Sequence, residues 1–153
     1  MATRSNGSNQ TCSIARSVEV LGERWTFLII REALSGVTRF ADFRDRLGIA
    51  ADVLTDRLTT LVESGVLEKV PYQEPGRRAR HAYQLTEAGL QLRVVLGALQ
   101  QWGDAYRPNP AGPTIERRTA DGNSPLRVAF VDDSDRAVPL SDVAFIKTAA
   151  YPD

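Results

Sequence analysis

Four side chains that can carry positive charge follow a Pro-Gly turn in the segment 72–89: Arg77, Arg78, Arg80 and the only histidine, His81. The chain as a whole is neutral, with nineteen Lys and Arg against nineteen Asp and Glu. Because guanidinium groups match the geometry of phosphate oxygens, such a cluster predicts contact with the phosphates or the minor groove of duplex DNA. The alternative is a basic turn that is solvated and has no partner.

Cys12 is the only cysteine and lies just before a predicted helix. The positive end of a helix dipole favours the reactive thiolate, so Cys12 is a candidate sensor of oxidants or electrophiles. Its products would be limited to an adduct, a sulfenic acid or a Cys12–Cys12 bridge between two chains. The alternative is a half-buried small residue that packs beneath a dimer interface.

Catalytic and membrane patterns are missing from the sequence. It has no Gly-rich phosphate loop, no paired carboxylates in an apolar setting and no apolar run of eighteen residues. A single cysteine excludes a multi-cysteine zinc site. We therefore expect a cytoplasmic non-enzyme without metal, cofactor or membrane partner.

Three helices are predicted in the first part of the chain. Apolar residues at three- and four-residue steps predict one helix over 14–34. Thr38 is predicted to cap a second, shorter helix that ends at Gly48. A third helix is expected over 51–64. Its predicted inward residues are Leu54, Leu58 and Leu61.

A two-stranded ribbon and a long helix are predicted next. The strands are expected at 66–73 and 81–85, joined by the basic turn. Pro71 places the first strand at an edge, which suits a ribbon with no further partner. Thr86 is the predicted N-cap of a helix over 87–106.

The helix 87–106 is apolar on more than one side. One stripe comprises Leu92, Val95, Leu99, Trp102 and Tyr106. A second comprises Leu90, Val94 and Ala98. We expect one stripe to serve the domain's own core and the other to bind a partner.

These elements suggest a division of the chain into four parts. We predict a disordered arm at 1–11, a DNA-binding and dimerisation domain at 12–106, a Pro-rich linker at 107–113 and a small β-rich appendage at 114–153. Short strands are expected in the appendage at "LRVAFV", "AVPL" and "VAFIK".

The order of elements is that of a winged helix-turn-helix, an α+β fold that is mainly α. In this fold the helix 51–64 enters the major groove and the ribbon forms a wing that meets the DNA backbone or minor groove. From the helix we expect DNA contacts by Asp52, Thr55, Asp56, Arg57 and Thr59. Arg39, at the start of the second helix, is expected to add a backbone contact.

The outward face of the helix 51–64 has no Lys or Arg, apart from Arg57 on its flank. Asp52 and Asp56 can accept from cytosine N4, or they can be carboxylates favoured by the helix dipole. Residues 12–107 hold thirteen basic and twelve acidic side chains, so net charge supplies little attraction to DNA. A winged-helix dimer with lost or weak DNA binding, serving as a protein-interaction or ligand-binding module, is therefore the alternative function.

Several segments in a fixed order resemble the HxlR family of bacterial transcriptional regulators, relatives of the MarR winged-helix proteins. They are Cys12 with "SIARSVEVLGERW", then "RFADFRDRLGI", "VLTDRLTTLVESGVLE" and "YQLTEAG". The resemblance covers about residues 12–106. It implies a homodimer built from the terminal helices that binds a pseudo-palindromic operator.

The resemblance also indicates what kind of signal could control DNA binding. Some relatives sense oxidants, aldehydes or quinones through a cysteine at the position of Cys12. Relatives with long tails carry paired cysteines there, whereas the tail here has none, which suggests a metal-free appendage. Trp25, Leu99 and Trp102 are expected to line either a pocket for a small-molecule effector or the dimer core.

Overall fold

The computed structural model describes residues 11–151, so the predicted disordered arm lies, except for Thr11, outside the described residues. The chain forms two compact units. Of the described residues, the first unit contains 11–92 and 149–151, and the second contains 93–148. The boundary between the two units thus falls inside a helix, between Leu92 and Arg93. A domain division at the Pro-rich segment 107–113 stays a prediction.

The elements follow the predicted order, and they confirm an α+β fold that is mainly α. In chain order they are α1 Ser13–Leu21, α2 Arg24–Leu34, α3 Phe40–Leu47, α4 Ala51–Glu63, β1 Leu67–Tyr72, β2 Arg80–Leu85, α5 Glu87–Tyr106, β3 Phe130–Val131, β4 Ala137–Val138 and a short 3₁₀ turn at Leu140–Asp142.

The single helix predicted over 14–34 is wrong, because it is broken into α1 and α2. Gly22 ends α1, with its backbone N–H donating to the carbonyl of Val18 at 2.7 Å. Glu23 is extended, at φ −86° and ψ 133°. A side chain at Gly22 would place a Cβ 2.5 Å from the Val18 carbonyl oxygen, and glycine is a weak helix former, so the chain turns here.

The core of the first unit lies between α2, α3, α4 and the ribbon. Its side chains that are at most 1% exposed are Ile29, Ile30, Phe43, Leu54, Leu58, Leu61, Leu67 and Thr26. The helix α2 contacts α3, α4 and β2, so it is the central element of this unit. Burying an aliphatic or aromatic side chain stabilises a fold by about 1.5–3 kcal/mol, which makes these residues the main support of the helix-turn-helix.

The start of α3 differs from the prediction. The N-cap is Arg39 and not Thr38, and no side chain caps the helix. Thr38 and Arg39 instead join the ribbon, because the N–H of Tyr83 donates to the carbonyl of Thr38 at 2.7 Å and Arg39 forms a bridge with Ala82. A ribbon without a further partner was therefore the wrong expectation.

The free edge of β2 accepts this extra segment, whereas β1 stays at the edge, as predicted. Pro71 lies in β1 opposite His81, in an antiparallel register that runs from Leu67 opposite Leu85 to Tyr72 opposite Arg80. Proline has no N–H to donate to a further strand, so its place in β1 is consistent with an edge strand.

Thr86 is the N-cap of α5, which confirms its predicted role. Its hydroxyl oxygen accepts from the N–H of Gly89 at 3.2 Å and donates to the carbonyl of Gly65 at 2.5 Å. Its own N–H donates to the carbonyl of Val66 at 3.1 Å. One residue therefore fixes the start of α5 against the start of β1.

The second unit is held by side-chain amides of α5. The amide of Gln101 pairs in both directions with the backbone of Val128, at 3.0 and 2.9 Å, and Gln100 donates to the carbonyl of Ile115 at 2.6 Å. Only Phe130–Val131 and Ala137–Val138 pair as strands here, so the strand expected at "VAFIK" is wrong.

The turn between β3 and β4 is organised by Asp132. Its carboxylate accepts from the backbone N–H groups of Arg136 and Ser134 and from the Arg136 guanidinium. These bonds, the backbone N–H of Arg136 foremost, lower the pKa of the Asp132 carboxyl below its ordinary value. The hydrogen bonds of Asp132 therefore hold this turn together, because strands of two residues contribute few hydrogen bonds of their own.

Gly89 and Gly103 lie in the same helix, one at a closely packed position and the other at an open one. A Cβ at Gly89 would lie 2.3 Å from the Val66 carbonyl oxygen and 2.8 Å from Leu85 Cδ2, whereas one at Gly103 meets no described atom within 4 Å. Gly89→Ala should destabilise the protein by about 1–3 kcal/mol through overpacking. Gly103→Ala should stabilise it by up to about 1 kcal/mol through helix propensity. Urea unfolding of both variants measures this, and equal shifts would contradict the close packing of Gly89 on Val66 and Leu85.

Candidate nucleic-acid interface

The helix α4 presents a buried apolar face and an exposed polar one. Leu54, Leu58 and Leu61 are 0%, 1% and 0% exposed, as the spacing predicted. The exposed face consists of Asp52, Thr55, Asp56, Thr59 and Glu63. Because the buried leucines fix the rotation of α4 about its axis, these polar residues are the ones available to a ligand.

Two of these polar side chains already make local hydrogen bonds. The Asp52 carboxylate accepts from the N–H of Val53 at 2.9 Å, and the hydroxyl of Thr55 donates to the carbonyl of Ala51 at 2.7 Å. The Asp52 contact lies in the first turn, where the dipole favours a negative charge. This geometry favours the dipole interpretation for Asp52, while Asp56 and Thr59 remain exposed.

Arg57 lies on the flank of α4 and is half-buried. Its Nη1 is 3.9 Å from Glu23 Oε1, at the start of α2, and its side chain is 27% exposed. The carboxylate in contact is thus that of Glu23 and not that of the adjacent Asp56. Arg57 therefore ties α4 to α2 from the edge of the exposed face.

The wing tip, defined here as residues 73–79, projects beyond the last strand pair of Tyr72 and Arg80. Gly76 has φ +72°, which glycine adopts without strain, and the N–H of Arg77 donates to the carbonyl of Glu74 at 3.0 Å. Arg77 and Arg78 are both exposed. The tip is thus a closed turn that carries two exposed guanidinium groups.

Arg80 and His81 follow the tip on β2, and both are exposed. Successive residues of a strand point to opposite faces, so these two side chains leave the ribbon on different sides. Tyr83, further along β2, is partly buried, and that burial raises the pKa of its hydroxyl. The wing therefore carries exposed basic side chains at its tip and on both faces of β2.

Arg39 makes contacts that the sequence did not predict. Its guanidinium lies over the ring of Tyr72, 4.8 Å from the centroid, and its Nη1 is 2.7 Å from Glu74 Oε1. The other oxygen of Glu74 is 3.8 Å from Nε of Arg77. Glu74 is the one carboxylate inside an otherwise basic turn, and this isolated negative charge was the feature of the sequence that could have indicated an ion pair. It pairs with Arg39 and Arg77.

Cys12 is exposed and is the N-cap of α1, as its position in the sequence predicted. Its carbonyl accepts from the N–H of Arg16 at 3.0 Å, and its side chain makes no capping hydrogen bond. The described residues hold no group of three or more His, Cys, Asp or Glu placed to bind a metal ion. Cys12 is thus a free, exposed thiol at the start of a helix.

The two apolar stripes of α5 form one broad exposed face. Val94, Val95, Leu99, Trp102 and Tyr106 are 58%, 39%, 48%, 56% and 65% exposed. The expectation that one stripe serves the domain's own core is wrong, because Gly89 is the only buried residue of α5. At 100° per residue the two stripes adjoin, and Leu92, seven residues before Leu99, lies on the same side of the helix but is only partly exposed.

The tryptophans proposed for an effector pocket have separate surroundings. Trp25 is half-buried beneath the guanidinium of Arg24, 5.0 Å from its ring centroid. Trp102 lies against Tyr106, with ring centroids 5.6 Å apart. A cavity of about 220 Å³ in the second unit is lined by Asp104 and Arg117 among others, but not by Leu99 or Trp102.

The comparisons with known proteins agree on one family. Residues 20–110 match the model of the HxlR-like helix-turn-helix family. An HTH-type transcriptional regulator of Mycobacterium tuberculosis, Rv3095, is 48% identical over 106 residues, which is 69% of this chain and 66% of that protein. The chain thus aligns with slightly less than two thirds of that relative's own length.

Solved structures extend the similarity into the second unit. PA1607 is 33% identical, with a TM-score of 0.77 over 90% of this chain and 95% of that one. The redox regulator HypR in its reduced form is 25% identical, with a TM-score of 0.56 over 63% of this chain and 94% of its own. No helix in the described part of this chain is long and apolar enough to cross a membrane.

Proposed function

The chain belongs to the HxlR-like helix-turn-helix family of transcriptional regulators, and from this premise we propose that it binds a pseudo-palindromic DNA operator as a homodimer. The observation that carries the proposal is the pairing of two surfaces in one compact unit. The polar face of α4 is exposed, and the wing tip presents Arg77 and Arg78 to solvent. A winged helix binds duplex DNA through these two surfaces, the recognition helix and the wing.

In this proposal α4 lies in the major groove. Thr55, Asp56 and Thr59 face the base edges, and a carboxylate there selects cytosine by accepting from its N4 amino group. Asp52 stays at the first turn, where it bonds the N–H of Val53. Arg57, held by Glu23 at the flank, is placed to reach a phosphate beside the groove.

The wing supplies most of the attraction to the DNA backbone. Arg77, Arg78, Arg80 and His81 surround the end of the ribbon, where they would contact phosphates or enter the minor groove. Because the chain is neutral overall, this local cluster must provide the electrostatic term. Binding should therefore be steeply dependent on salt and modest for a single subunit.

The exposed face of α5 supports the homodimer. Leu99 and Trp102 belong to an exposed apolar face of the kind that marks interaction sites, and we assign them to the dimer interface rather than to an effector pocket. Ile14 and Val18 of α1, 70% and 56% exposed, form a second apolar strip available for the same purpose. Two subunits double the wing contacts and match the two halves of a palindrome.

We propose Cys12 as the sensor of an oxidant or electrophile. Its exposure at the start of α1 supports this, as does the likeness to a protein described as a redox regulator. A role for Trp25 in binding a small-molecule effector is a further hypothesis, because it is half-buried beside an arginine.

One observation favours a second function. The exposed face of α4 carries carboxylates and hydroxyls but no Lys or Arg, so it repels phosphates. A winged-helix dimer that binds a protein or ligand in place of DNA would have such a face. The two functions can be distinguished by the wing arginines, because only a DNA-binding protein should lose DNA affinity when they are removed.

Arg78→Ala tests DNA binding, with Arg127→Ala as its matched control. Both arginines are exposed, and Arg127 belongs to the second unit and not to the wing. For the dimer, Arg78→Ala should weaken binding to the protein's own upstream DNA. It should also reduce the slope of log K against log salt by about 2, one phosphate contact per subunit. Fluorescence anisotropy across a salt series measures both. Equal, small effects of the two changes would favour the interaction module.

Leu99→Asp tests the dimer interface, with Arg93→Asp introducing the same carboxylate on another side of α5. Burial of an unpaired charge in an apolar interface is strongly unfavourable, so Leu99→Asp should yield monomers at micromolar concentration. Arg93→Asp should leave the dimer intact. Sedimentation equilibrium distinguishes them, and a dimeric Leu99→Asp protein would exclude this face as the interface.

Cys12→Ser tests the sensor. Oxidant should lower the operator affinity of the wild-type protein at least several-fold and leave that of Cys12→Ser unchanged, because the serine hydroxyl cannot form a sulfenic acid or a disulfide. The same anisotropy assay, with and without hydrogen peroxide, reports the difference. An equal response of both proteins would assign the sensitivity elsewhere.

A further inference from the structure

We propose that Arg39 and Glu74 form a latch that holds the wing tip in place beside α3, and that both are positioning residues for DNA binding. The inference rests on the proposed function and deepens it. It also changes the predicted role of Arg39, from a direct contact with the DNA backbone to control of the wing that makes such contacts.

The position of Arg39 is fixed by its backbone before its side chain is considered. It is the N-cap of α3, and it bridges Ala82 on β2 beside the bond from the Tyr83 N–H to the Thr38 carbonyl. Arg39 therefore belongs at once to the helix-turn-helix and to the ribbon. A side chain that starts there can connect one to the other.

The guanidinium of Arg39 reaches across the ribbon to the wing tip. It crosses the ring of Tyr72 at 4.8 Å and places Nη1 2.7 Å from Glu74 Oε1. Tyr72 is the last residue of β1, and Glu74 lies within the tip. The contact thus spans the point at which strand pairing ends.

Glu74 links the ion pair with Arg39 to Arg77, an exposed arginine of the tip. Its carbonyl accepts from the Arg77 N–H at 3.0 Å, its Oε2 is 3.8 Å from Arg77 Nε, and Gln73 Nε2 donates to the Arg77 carbonyl at 3.0 Å. The tip is braced internally, and the ion pair to Arg39 sets its direction relative to α3. An unlatched tip would lose that direction, and its turn would open more often.

The engaged state of Arg39 argues against a primary role in phosphate binding. Its guanidinium has an aromatic ring against one face and a carboxylate at Nη1, and a phosphate at that nitrogen would have to displace a charge-assisted hydrogen bond. Arg39 and Glu74 are 49% and 42% exposed, and exposed ion pairs add little to global stability. The effect of the latch should therefore appear in DNA binding and in the local order of the tip.

The test compares Arg39→Gln, Glu74→Gln and the exchanged pair Arg39→Glu with Glu74→Arg. The control is Glu68→Gln, which removes the same charge from an exposed position of β1 that forms no ion pair with the described part of the chain. All proteins are full-length, and anisotropy with the upstream DNA measures affinity at several salt concentrations. Thermal melting verifies that each variant is folded.

A latch predicts an effect opposite in sign to simple charge removal. Glu74→Gln should weaken binding roughly 3- to 20-fold per dimer, although it removes a negative charge near DNA, whereas Glu68→Gln should leave binding equal or slightly tighter. The exchanged pair should recover most of the loss, because the ion pair re-forms. Tighter binding by Glu74→Gln, or an exchanged pair weaker than either single variant, would show that Arg39 contacts phosphate directly and would overturn the inference.

A measurement without DNA separates this inference from the proposed function. Amide hydrogen exchange at Arg77 should be faster in Arg39→Gln and Glu74→Gln than in the wild type or in Glu68→Gln. Unchanged exchange in both variants would overturn the latch even if DNA binding is confirmed. Wild-type protein that binds no DNA would overturn the proposed function and with it the positioning role, whatever the exchange shows.

Discussion

Burial of the leucine stripe of α4 is the constraint on which the proposed interface depends. Leu54, Leu58 and Leu61 are almost fully excluded from water, and each contributes a hydrophobic free energy that no other rotation of the helix would recover. Their burial fixes the outward direction of Thr55 and Thr59. The specificity of a recognition helix is therefore decided first by packing, and only then by the chemistry of its polar face.

A second constraint links that helix to the wing. The extended pair Thr38–Arg39 precedes α3 and adds to the free edge of β2, so the ribbon is anchored to the helix-turn-helix by backbone hydrogen bonding. Thr86 anchors the other end of β2, by joining α5 to Gly65 and Val66. The ribbon is held at its base on both sides, which leaves the wing tip as the part whose direction side chains can set.

The sequence was informative wherever one residue type determines the local backbone. Gly48 ends α3 in the left-handed conformation, and Thr86 caps α5, because few other residues serve these positions. Prediction failed where apolar spacing did not reveal a local break, and where the outcome depended on contacts distant in the chain. The apolar run across Gly22 has helical spacing on both sides, so spacing alone did not show the break. The bridge of Arg39 to Ala82 joins residues that are 43 positions apart, and no local pattern encodes it.

The exposed face of α5 shows a related limit of sequence patterns. Periodicity identified its apolar residues, but it could not decide whether they face the chain's own core or another molecule, because both environments exclude water. In the structure Leu99 and Trp102 are about half exposed, whereas the core residues of α2 are fully buried. A single chain therefore leaves unburied the apolar area that a second subunit would cover. A dimer would carry two wings, which a neutral chain needs more than a basic one, since its attraction to DNA comes from a few arginines.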